Sequence, residues 1–155
     1  MNKFALTLLI SLNLSLVAES AAEDTFTFGL GAGSLYSGLG ANVGIQTKKD
    51  IKYLAVGCVS YSSMYGATCG VGAGWVHTDI FNFQTPNHGL GIYVGIVGDQ
   101  YDYFDRDAVY GAGVGYHYFF SGIDKSGVNL GFTATGADSK DGFDLGGMFQ
   151  LGYQF

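Results

Sequence analysis

The chain closes with Phe143-Asp144-Leu145-Gly146-Gly147-Met148-Phe149-Gln150-Leu151-Gly152-Tyr153-Gln154-Phe155. Large apolar residues fall at 143, 145, 149, 151, 153 and 155, with Asp144, Gly146, Gln150, Gly152 and Gln154 between them. A period of two is that of a β-strand with two unlike faces. The same alternation recurs over 25–32, 39–46, 90–96 and 128–134. No window beyond residue 22 carries a convincing helical period. The pattern predicts eight strands, at about 25–34, 39–47, 51–61, 66–78, 89–98, 108–120, 127–136 and 143–155. Links rich in Gly, Asp, Lys and Ser separate them. They are of hairpin length, so consecutive strands are expected to pair antiparallel.

Composition agrees with this reading. The chain has 155 residues, of which 26 are glycine, one is proline and 13% are charged. That length suits one domain. An apolar content of 48% excludes a disordered chain. A formal charge of −6 argues against nucleic acid as a partner, because phosphates need Lys and Arg.

The two faces decide what kind of all-β protein this is. One carries Phe26, Phe28 and Leu30, then Leu39, Val43 and Ile45, then Ile92, Val94 and Ile96, and so on through Phe155. The other is small or polar, with Gly29, Gly31, Asn42, Gly44, Gly95, Gly131, Thr133 and Gln150. Turned inward, the bulky face would overfill a small barrel and leave glycine outside, a poor strand surface. Turned outward, it suits lipid. The expected fold is therefore an all-β, eight-stranded, antiparallel up-and-down transmembrane β-barrel. Lipid cannot satisfy an open sheet edge, so the first and eighth strands should pair. Trp75, Tyr116 and Tyr118 lie on the bulky phase near one strand end, as an interfacial girdle would. Tyr53, Tyr93, His117, Phe119 and Asp144 fall on the inner phase and are the candidate lumen residues. The abundant inner glycines allow close approach across a narrow lumen, and they leave a volume that alternation alone does not fill.

The first 22 residues read as a secretory signal: Lys3, an apolar core over 4–17, and Ser20-Ala21-Ala22 before a cut. Residues 23–155 would form the barrel. Export makes a bridge between Cys58 and Cys69, the only two cysteines, the better reading than two free thiols. Pairing them makes facing residues sum to 127. Val56 then meets Val71, Leu54 meets Ala73 and Lys52 meets Trp75 on the bulky face. Tyr53 meets Gly74 and Ala55 meets Gly72 on the inner one. A slip of one residue would invert one strand's faces.

The ending Phe149, Leu151, Tyr153, Phe155 resembles the terminal signature of bacterial outer-membrane proteins, and the size resembles the small OmpA/OmpX-type barrels. The resemblance implies a Gram-negative outer-membrane location and insertion by the barrel-assembly machinery. It also implies contact with outer-membrane lipid and lipopolysaccharide, and a monomer. The expected role is structural or interaction-type, with no catalysis and no cofactor, in a lumen mostly plugged by its own side chains. The alternatives are a narrow porin-like pore, a lumen that binds a small or acyl ligand, and a lipid-modifying enzyme.

Chemical motifs are sparse. The candidate bases His77, His88 and His117 are scattered, without metal-ligand spacing. No glutamate lies beyond Glu23, which excludes a Glu-dependent triad. The link 99–107, with Asp99, Asp102, Asp105 and Asp107, could hold a cation, but a solvated hairpin tip is the simpler reading.

Overall fold

The computed structural model describes residues 24–155 except 65, 81–84, 103–104 and 141. The predicted signal segment lies outside the described residues. Eight strands run in chain order: β1 Thr25–Gly33, β2 Gly38–Gln46, β3 Asp50–Ser62, β4 Gly66–His77, β5 His88–Asp102, β6 Asp105–Phe119, β7 Gly127–Ser139 and β8 Gly142–Gln154. Each pairs antiparallel with its neighbours, and β1 pairs with β8, so the sheet closes into a barrel. With this up-and-down order both chain ends lie at one mouth, the terminal end, together with the β2–β3, β4–β5 and β6–β7 links.

Most of the bulky residues point outward, and exposed ones occur on every strand. Leu39, Leu54 and Phe149 retain 73%, 65% and 82% of their accessible surface. The interior holds Thr27, Asn42, Thr133, Thr135, Gln150 and Gln154, all buried, around an apolar cluster of Leu35, Tyr36, Tyr53, Tyr93 and Phe119.

The β3–β4 register is the one expected from the cysteines. Cys58 faces Cys69, Val56 faces Val71, Lys52 faces Trp75 and Tyr53 faces Gly74. The disulfide is formed on the outward face.

Two sequence expectations need correction. The acidic segment 99–107 is not a loop. β5 continues to Asp102 and β6 resumes at Asp105, with Asp99 paired to Ala108 and Gln100 to Asp107. A register shift between Ile96 and Gly98 admits one extra residue in β5. Strand pairing survives there, while the bulge changes which residues face in: Ile96, expected on the bulky outward face, is fully buried, and simple alternation fails. Charge therefore marks the end of the apolar belt, not the end of the strand. The second correction concerns 34–38. This stretch was expected to be a plain tight link, yet it contains a 3-10 turn, Ser34–Tyr36, whose residues are fully buried. Gly33 and Gly38, at φ 109° and 97°, let the chain turn inward where other residues would be strained.

Candidate functional site

The buried 3-10 turn is a plug, anchored from four surrounding strands. The Leu35 amide donates to Gln150 Oε1 at 3.3 Å. Asn42 Nδ2 donates to the Leu35 carbonyl at 2.9 Å. Asn129 Nδ2 donates to the Tyr36 hydroxyl at 2.7 Å, and Gln150 Nε2 donates to Asn129 Oδ1 at 2.9 Å. The Ser34 and Thr133 hydroxyls share a hydrogen bond of 2.7 Å, and the Tyr53 hydroxyl donates to the Ser34 carbonyl at 3.3 Å. Below the plug, Gln154 Nε2 bridges Thr27 Oγ1 and Asn42 Oδ1 at 2.9 and 3.0 Å. Polar groups removed from water need such partners, because each one left unpaired costs about 1–3 kcal/mol. The inward amides and hydroxyls are thus what a polypeptide plug requires.

The inner glycines are seats for rings. A Cβ at Gly31 or Gly152 would collide with Tyr36, one at Gly72 or Gly95 with Tyr93, and one at Gly74 with Tyr53. His117 likewise occupies the space over Gly91, Gly115 and Gly131. The volume that alternation left open is filled by ring side chains that lean over glycines of the same and neighbouring strands. Near the terminal end, Ile51, Val76, Phe119 and Ile123 complete the closure, all at most 3% exposed. Ile123 comes from the β6–β7 link. Its amide donates to the Pro86 carbonyl at 2.8 Å, and Asn87 Nδ2 donates to the Phe119 carbonyl at 2.6 Å. The long β4–β5 link therefore helps to seal that mouth.

The opposite mouth is different. A cavity of about 510 Å³ opens there, between the extensions of β5–β6 and β7–β8. Val97, Gly98, Val109, Ala137, Leu145 and Gly146 give it apolar walls, and Gln100, Thr135, Ser139, Lys140 and Asp144 give it polar ones. Its rim carries ion pairs. Arg106 lies 3.2 Å from Asp99 and reaches the Ser60 hydroxyl of β3 at 3.1 Å, and Lys140 lies 3.7 Å from Asp107. The Asp144 carboxylate accepts from the Ser139 hydroxyl at 2.7 Å.

Of the predicted lumen residues, Tyr53, Tyr93, His117 and Phe119 meet in the interior, each at most 4% exposed. Asp144 keeps the inner phase but lies exposed in the open cup. Trp75 and Tyr116 are outward and exposed near the terminal end, and Tyr118 is half-buried against the rings of His88 and Phe120. Phe155 stacks on Phe28 with ring centroids 4.6 Å apart, while Tyr153 packs against Phe155. Phe149 and Leu151 point outward beside them. Sequence reasoning missed Leu35 and Tyr36. The available signal was a Leu-Tyr pair inside a link bounded by glycines, where polar turn formers belong.

The three imidazoles occupy separate places. His117 is buried in the lumen, His77 lies 3.8 Å from Asp50, and His88 lies 2.6 Å from the Tyr116 hydroxyl. Among the described residues no three His, Cys, Asp or Glu side chains converge. No protein-family model, curated protein or solved structure matches the chain.

Proposed function

We propose that this protein is a small integral barrel of the bacterial outer membrane, monomeric and non-catalytic, whose lumen is closed by its own residues. One observation carries the reading: a closed barrel presents exposed apolar side chains on all eight strands and buries inward amides and hydroxyls such as Asn42, Thr133 and Gln150. Only an apolar surrounding rewards that arrangement, since closure leaves few backbone groups for lipid to satisfy. Export through the 1–22 segment, and assembly through the alternating terminus at Phe149, Leu151, Tyr153 and Phe155, belong to the same proposal. Lipid and lipopolysaccharide would then be the surrounding partners.

The test is heat-modifiable migration on gels together with fractionation of the mature chain. Co-sedimentation with outer membranes and a faster-running unheated band are expected. Recovery as a soluble periplasmic monomer would sink the reading. A second role, ligand binding in the lumen, is favoured by the cup alone, because the rest of the lumen is filled.

A further inference from the structure

The β1–β2 hairpin is shorter than the others, with 9 residues per strand against 12 to 15 elsewhere. β1 pairs with β8 only over Gly29–Ala32 and Gln154–Leu151. Gly33, the last residue of β1, still abuts Phe149 and Gln150, so residues 142–148 of β8 have β7 on one side and no described strand on the other. The wall is notched beside β8, and the notch opens into the cup, whose lining includes Asp144, Leu145 and Gly146.

The height of the notch matches an amphiphile. At and above its lower edge the outward residues are Phe149 beside Phe132, then Leu145 beside Gly136. At its upper part Phe143 pairs with Asp138, which is exposed, and Lys140 and Asp144 lie nearby. The opening therefore straddles the boundary between the apolar belt and the charged rim. Unpaired backbone groups are tolerated at such a depth where they line a hydrated cavity.

The glycines supply a second observation. Away from the hairpin turns, almost every described strand glycine is crowded by a neighbour that an added Cβ would strike. Gly98 and Gly146 differ. A Cβ at Gly98 would meet nothing within 4 Å, and one at Gly146 would meet only the Thr135 hydroxyl, at 3.1 Å. Both line the cup. They are empty seats in a barrel that elsewhere fills its seats, and the cavity falls within the roughly 300–1,000 Å³ of ordinary ligand pockets.

We propose that the cup takes one acyl chain of a neighbouring membrane lipid through the notch beside β8. The chain lies over Gly98 and Gly146, and the polar head stays at the charged mouth. This rests on the outer-membrane reading above, and the experiment separates the two. The protein is reconstituted in vesicles of phosphatidylethanolamine and phosphatidylglycerol that contain a little phospholipid with a diazirine near its acyl terminus. After irradiation, adducts are mapped by mass spectrometry. Adducts are expected on outward Leu54 and Val114, and also on Val97, Val109 and Ala137 inside the cup. Gly146→Leu should remove most cup adducts and leave the outward ones unchanged. Gly98→Leu, which has more room, gives the same comparison should the first variant fold poorly. Outward adducts without cup adducts would overturn the acyl site and leave the membrane barrel standing. Cup adducts that persist in both variants would also overturn the site. Absence of adducts on either face would overturn the membrane reading and the site with it.

Discussion

Glycine has opposite meanings at two inward positions of β8. Gly152 lies under the Tyr36 ring, so Gly152→Leu should drive the ring off its seat. Overpacking of this kind costs about 1–3 kcal/mol. Gly146→Leu should be close to neutral, because it projects into the cup. Urea unfolding of the two variants, followed by loss of the fast-migrating band, checks the contrast, and equal destabilisation would contradict it. Gln154→Leu should lower the unfolding free energy from the same urea titration by about 1–3 kcal/mol, because Thr27 and Asn42 lose buried partners. A pH effect is expected at the terminal end. The Lys49 ammonium hydrogen-bonds to Asp79 at 2.6 Å, and that bond, helped by its charge, lowers the Asp79 pKa below its ordinary value of 3.8. A depressed carboxylate contributes stability above its unfolded pKa and loses it as pH falls through the folded one. Asp79→Asn should therefore be slightly less stable than wild type near neutral pH, and the gap should close in acid below 3.8. Both side chains are largely solvated, so the gap should be small and should shrink with salt.

At the scale of elements, the β3–β4 hairpin and β8 make separate predictions. The disulfide encloses a short loop on a hairpin that pairs along most of its length. By chain entropy the bridge contributes about 2–3 kcal/mol at most. Cys58→Ser with Cys69→Ser should still fold and close, with a modest loss of heat resistance. Thiol labelling of the denatured, unreduced wild type should find no reactive thiol. For β8, the Phe155 amide donates to the Phe28 carbonyl at 2.8 Å, and the Thr27 hydroxyl donates to the Phe155 carbonyl at 2.7 Å. The last residue thus extends the short β1–β8 seam. Deleting Phe155 should impair assembly more than synthesis, read as unfolded chain outside the membrane fraction. Normal insertion of the truncated chain would show that neither the seam nor the terminal signature needs this ring.

For the whole molecule, the expected electrical property follows from the plug. Leu35, Tyr36, Tyr53, Tyr93, Phe119 and Ile123 leave the lumen closed between the cup and the terminal end, each at most 4% exposed. The purified barrel should give no stable unitary conductance in planar bilayers. A reproducible conductance step would place a continuous path through this cluster and refute the plug.

Alternation by itself determined the number of strands, their antiparallel order and which face is bulky, because a period of two projects directly onto the two sides of a sheet. The cysteines added a register, since a one-residue slip would have put them on opposite faces. Two features were wholly or partly beyond the reach of pattern. Continuation of β5 and β6 through Asp99 and Asp107 depends on cross-strand pairing beyond a bulge, and a bulge resets the phase that pattern reading follows. The filling of the lumen is legible only in part. Tyr53 over Gly74 follows from the cysteine register, but Tyr93 over Gly72 needs the β4–β5 register, which no residue pair in the sequence marks. Tyr36 rests on Gly31 of its own hairpin and also on Gly152 of β8, which only closure of the barrel brings beside β1. That Gly98 and Gly146 have no ring over them is likewise decided by the tertiary structure, because no local spacing shows which inward seat a ring from another strand fills.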